Sequence, residues 1–146
     1  MSGFAIRQIV LVVAGPLVAA ASTRDRNHDR CVALLTLAAS APPIVAALVV
    51  TEVAYFLGDR IGHAAEQAFA RSVRDGELHV EPVEPSDWIR ISELLGEYSD
   101  LPLGIVDASV VASCERLGVS TLATLDRRHF SIVRPRHREA LTLLPE

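Results

Sequence analysis

Two kinds of apolar run alternate along this chain, and they predict two kinds of element. Residues 9–13 are five consecutive apolar positions, mostly β-branched, followed by Ala14-Gly15-Pro16. A short unbroken run of this kind predicts a strand buried on both faces, as in a parallel sheet. Residues 44–47, 78–82, 119–125 and 140–144 predict further strands. Between them apolar positions recur three and four residues apart, the spacing of a helix face. A short apolar helix is expected over 17–22, then a polar loop over 23–27. Over 28–41, Cys31, Leu34, Leu35 and Ala38 share one face, and Pro42-Pro43 stops the helix. Further helices are expected over 48–60, over 63–74 with Asp75-Gly76 at its C-cap, and over 105–117 with Gly118 at its end. Ser86 is the expected N-cap of a helix over 87–98, with Asp87 near its positive end. Strands alternating with helices predict an α/β fold. The expected architecture is a three-layer α/β/α sandwich around a mostly parallel sheet, in one domain over residues 1–146.

Composition narrows the class without choosing a function. Half of the residues are hydrophobic and few are aromatic, so the core must be built from Val, Leu, Ile and Ala. The net charge of −4 selects no partner, but the charges are unevenly placed. Residues 75–100 are strongly acidic, whereas 127–138 carry five arginines, two histidines and no acid. Every basic residue is Arg and none is Lys, which a GC-rich genome explains as well as function does. The two cysteines, Cys31 and Cys114, form no CxxC and are expected to be free thiols in a cytoplasmic protein. Arg7 and the apolar residues 9–21 also read as a secretory leader. Against that reading, Gly15-Pro16 interrupts the run, and cleavage would remove the best strand. No segment has the length of unbroken apolar sequence that spans a bilayer.

Three carboxylates stand out because the pattern around them is apolar: Glu52, Asp107 and Asp126. Asp107 opens its helix and heads a stripe continued by Val110, Val111 and Cys114. Glu52 shares a face with Val49, Val53 and Phe56, and Asp126 follows the strand over 119–125. Ligands of open α/β sheets bind beyond the carboxyl ends of the strands, where these acids and Val13 can meet. Clustered carboxylates repel, and a hard divalent cation is their natural partner. Each acid also has a plainer reading. Asp107 suits a helix start, Glu52 can reach solvent from a partly exposed helix, and Asp126 suits an ordinary turn.

The segments IVLVVAGPLVAAAS (9–22), TEVAYFL (51–57), LPLGIVDASVVASCERLG (101–118) and LATLDRRHF (122–130) together resemble the PIN-domain nucleases, most of all the VapC toxins of bacterial toxin–antitoxin pairs. The resemblance implies a Mg²⁺- or Mn²⁺-dependent endoribonuclease toxin, usually a homodimer, silenced by a cognate antitoxin. It implies Glu52, Asp107 and Asp126 as catalytic metal ligands, with Thr124 a small polar residue beside the metal and among the substrate-binding residues. Arg127 and Arg128 are the expected contacts to RNA phosphates, their plainer reading being a solvated basic face or contacts to an acidic partner. One position departs from the pattern. Where similar proteins end the first strand in Asp, this chain has Val13. Mg²⁺ requires oxygen ligands and an isopropyl group supplies none, so weakened metal binding and reduced hydrolysis are expected. The alternative is a catalytically dead module that keeps the fold and binds antitoxin or RNA in a regulatory role.

Other chemistries have less support. The five histidines lack zinc-type spacing among themselves or with the cysteines, and neither a nucleophile elbow nor a Walker loop occurs. Apolar stripes within 49–57 and 88–95 could receive an antitoxin helix, although core packing explains most of them more simply.

Overall fold

The structure, a computed structural model, describes residues 9–37 and 41–146, with only the backbone of Leu37. Among these residues five strands form one parallel sheet in the order β3-β2-β1-β4-β5: β1 Val10–Val12, β2 Ile44–Ala46, β3 His79–Glu81, β4 Thr121–Ala123 and β5 Thr142–Leu144. Among the described residues the helices are α1 Ala14–Ala21, α2 His28–Leu37, α3 Ala47–Arg60, α4 His63–Arg74, α5 Pro85–Glu97 and α6 Ile105–Leu117. From β1 the chain steps outward twice in one direction, through α1–α2 and then α3–α4. It then returns through α5–α6 to the far side of β1. With right-handed crossovers this places α1–α4 on one face and α5–α6 on the other, the expected three-layer sandwich. Most helix packing follows the same division, α1 against α2 and α3, α3 against α4, and α5 against α6, while α3 also meets α6 across the layers.

The core lies where the short strands are covered from both sides. Leu11, Val12, Val45 and Leu122 are fully buried, together with Val49 and Val53 from α3 and Val110 and Val111 from α6. The stripes within 49–57 and 88–95 are therefore largely spent on the core: Val49, Val53, Leu57, Ile91 and Leu94 are buried, and Trp88 and Ile89 stay exposed. Cys31 and Cys114 are buried free thiols.

Several boundaries move for identifiable reasons. α1 begins at Ala14, because Pro16 falls within the first helical turn, where a missing N–H costs little. α5 begins at Pro85, with Glu84 and not Ser86 as its N-cap. The Glu84 side chain accepts the Asp87 backbone N–H, and Asp87 Oδ2 accepts the Glu84 N–H at 2.9 Å. β4 is shorter than expected because the Val119 N–H closes the end of α6 on the Cys114 carbonyl, with Gly118 left-handed at φ 69°. Of the helix expected over 28–41, residues 38–40 lie outside the described residues, as do 1–8 of the leader reading. Residues 10–21 of that reading form the central strand and its following helix. No helix among the described residues is long and apolar enough to cross a membrane.

Candidate functional site

The sheet reverses its winding at β1, so the crevice between the carboxyl ends of β1 and β4 is the topological switch point. Val13 lies there. Its N–H donates to the Ala123 carbonyl at 3.1 Å, and it N-caps α1 with no side-chain hydrogen bond. Gly15 lets the first turn of α1 come close to the exit of β4, since a Cβ there would stand 3.3 Å from Leu125 Cβ.

Asp107 is the third residue of α6, half-buried, and its Oδ2 meets His129 Nδ1 at 2.9 Å. Glu52 on α3 is exposed, and its carboxyl pKa is raised by partial desolvation and then by the charge of Asp107. These two acids therefore face a common space and repel. Asp126 follows β4 on a turn fixed by Thr124, a buried residue whose Oγ1 donates to the Asp126 carbonyl at 2.9 Å and accepts the Asp126 N–H at 3.2 Å. The Asp126 carboxylate is engaged by its own loop. Oδ1 accepts the Arg128 backbone N–H at 3.1 Å and Nε at 3.0 Å, and Oδ2 accepts Nη2 at 2.7 Å. Arg128 thereby holds the Asp126 pKa down at about 2.

His129 is the residue that the pattern reading missed. It and Arg128 are held at the crevice because Phe130 and Val133 are buried just beyond them, and the Val133 N–H closes a turn on the His129 carbonyl. The only advance signal was the apolar spacing of Phe130 and Val133 after a charged run. Arg127 points elsewhere, donating to the carbonyls of Pro145 at 2.9 Å and Leu143 at 3.4 Å. It ties the C-terminal strand to the loop.

These donors do not fit a Mg²⁺ or Mn²⁺ ion held by the protein as they are arranged. The Val13 side chain offers no oxygen, one oxygen of Asp107 is met by His129, and both oxygens of Asp126 are met by Arg128. Among the described residues no three His, Cys, Asp or Glu side chains are grouped so that they could hold a metal ion. A cavity of about 580 Å³, lined by Leu17, Leu35, Leu57, Phe69 and Leu78, opens at the amino-terminal ends of β2 and β3, next to Pro42-Pro43, away from the acids.

A parallel five-stranded sheet with acids at its switch point is the architecture of a PIN domain, and residues 10–134 match that family. The chain belongs to the PIN-domain family. Within it the chain is of the VapC type: it is 32% identical over 102 residues to ribonuclease VapC26 of Mycobacterium tuberculosis, which covers 70% of this chain and 76% of that protein. Solved structures share the fold. VapC20 of M. tuberculosis, described as a sarcin–ricin loop cleaving toxin, superposes with a TM-score of 0.69 at 22% identity, over 77% of this chain and 86% of that one. VapBC2 of Rickettsia felis, bound to a promoter DNA fragment, gives 0.66 at 17% identity, over 93% and 97%. FitAcB of Neisseria gonorrhoeae gives 0.60 at 13% identity, over 82% and 88%.

Proposed function

We propose that this chain is the toxin of a VapBC-type toxin–antitoxin pair, an endoribonuclease by descent whose dependence on Mg²⁺ or Mn²⁺ is compromised by Val13. The observation that carries the reading is the identity to a ribonuclease of the VapC type across most of both chains. Glu52, Asp107 and Asp126 at the switch point are the acids that would serve hydrolysis, and Thr124 sets the position of the third. Arg128 is the arginine of the pair that reaches the crevice, so it is the stronger candidate for an RNA phosphate. Arg127 is held on backbone carbonyls. A cytoplasmic location, an antitoxin partner and a homodimer belong to the same reading. VapBC2 is named as a complex, and exposed Tyr55 on α3 and Ile105 on α6 leave apolar surface for a second copy.

One observation favours a second reading, a non-catalytic PIN module: the donor set is incomplete and two of its three acids are already engaged. The discriminating experiment is Val13→Asp, with RNA cleavage followed in Mg²⁺ and in Mn²⁺. The expected result is weak cleavage by the parent chain and at least about a tenfold rise on restoring the acid, because removing one charged stabiliser commonly costs that much or more. If the variant stays as inactive as the parent, the chain is a binding module. Growth arrest on expression, relieved by the product of a small reading frame preceding this one, tests the toxin assignment separately.

A further inference from the structure

We propose that Arg128 is a built-in competitor of the divalent cation, so that the loop over 126–129 sets how tightly this site can hold a metal. The inference rests on the nuclease reading above and starts from its misfit: the acids lack a metal-ready arrangement, yet two of them already have partners on one loop. Arg128 clamps Asp126 through both of its oxygens, and the Arg128 backbone N–H adds a third bond to the same carboxylate. His129, the next residue, meets Asp107. One short loop therefore covers two of the three acids, and buried Phe130 and Val133 fix it in place.

The other arginines of the basic segment are committed elsewhere. Arg127 lies on the carbonyls of Leu143 and Pro145, Arg134 on that of Ser131, Arg136 on Glu93, and Arg138 on that of His137. Arg128 is thus the guanidinium of that segment placed on a candidate ligand. A carboxylate that accepts a guanidinium hydrogen on each of its two oxygens is not free to bind a metal, so a cation must displace Arg128 before Asp126 can join the set. The clamp is exposed, with side-chain exposures of 82% for Arg128 and 59% for Asp126, so its hold is modest and reversible.

The test is Mn²⁺ binding measured by electron paramagnetic resonance and calorimetry on the whole chain, with no turnover required. Arg128→Ala is expected to tighten Mn²⁺ binding about three- to fivefold, the range an exposed ion pair permits. Val13→Asp should tighten it independently, and the two changes together should combine. Asp126→Asn should abolish the benefit of Arg128→Ala, because the competition is for that carboxylate. Unchanged or weaker Mn²⁺ binding in Arg128→Ala, with measurable binding in Val13→Asp, overturns the competition and leaves the metal reading standing. No Mn²⁺ binding in any of these variants overturns both.

Discussion

Removing the Asp87 carboxylate is the sharpest test of what holds the α5–α6 layer together. Asp87 is 4% exposed and carries two tasks. It caps α5 by accepting the Glu84 N–H at 2.9 Å, and it receives Arg116 Nε at 3.0 Å and Nη2 at 3.1 Å across the helix pair. The cap is worth about 1 kcal/mol. Breaking a fully buried pair from one side costs about 3–5 kcal/mol, but that figure must be reduced here. The Arg116 side chain is 26% exposed and keeps Glu81 at 3.5 Å and the Pro82 carbonyl at 3.2 Å, which leaves about 2 kcal/mol. Asp87→Ala should therefore destabilise by about 3 kcal/mol, a drop in Tm of roughly 10 °C for a chain of this size.

Asp87→Asn separates the two tasks, since its side-chain oxygen can still cap the helix while the charge is gone. It should cost about 2 kcal/mol. Urea unfolding followed by the fluorescence of Trp88, the only tryptophan and the adjacent residue, measures both variants. A loss below about 1 kcal/mol for Asp87→Ala would refute the reasoning, because it would mean that neither the cap nor the ion pair stabilises the fold.

The remaining predictions concern the crevice. Glu52 has a folded pKa raised above its ordinary 4.5, so its contribution to stability is fully present below that pH and is lost as pH rises through the folded value. Glu52→Gln should accordingly stabilise the chain at pH 7 by a few tenths of a kcal/mol, with the difference vanishing below about pH 4, as thermal melts across pH will show. Asp126 is the opposite case. Its pKa of about 2 against an ordinary 3.8 means a contribution present above pH 3.8 and lost as pH falls towards 2. Carbon-detected NMR titration should find this carboxylate ionised at pH 3, and an ordinary midpoint would refute the clamp. Thr124→Val should cost about 1–2 kcal/mol by denaturant unfolding, because a buried hydroxyl that both donates and accepts is replaced by a methyl. It should also broaden the Asp126 resonances.

The layers, the parallel sheet and most helices were legible because they rest on local patterns: the β-branched run at 9–13, the stripe behind Asp107, the glycine at 118. Boundaries failed where two rules compete. Pro16 reads as a breaker but lies in a first turn, and Ser86 is a better cap by type than Glu84, yet the chain caps with Glu84 because Pro85 occupies the first helical position. The acids were legible as candidates, whereas their state was not. Glu52 and Asp126 are exposed in the fold, though their apolar neighbours suggested burial. That Arg128 covers Asp126 while Arg127 turns to Leu143 and Pro145 depends on one turn and on a strand sixteen or more residues away, which no periodicity encodes.

Nothing among the described residues calls for an acid at position 13 to complete the fold. α1 is held by buried Leu17, Val18 and Ala19 and by the approach of Gly15 to Leu125, while the ionic network that stabilises the opposite layer runs through Asp87, Arg90, Glu115 and Arg116. Of the crevice acids, Glu52 works against stability through its partial desolvation and the charge of Asp107, whereas Asp126 is offset by Arg128. An aspartate at 13 could cap α1, worth about 1 kcal/mol. It would also remove a half-buried apolar side chain and add a further negative charge among the others, terms of about the same size or larger. With chelator present, Val13→Asp should therefore melt no higher than the parent, and only added Mn²⁺ should reverse the order. A variant that is already more stable without metal would show that the fold itself wants the acid, and that its exchange for valine cannot be read as a loss confined to cation binding.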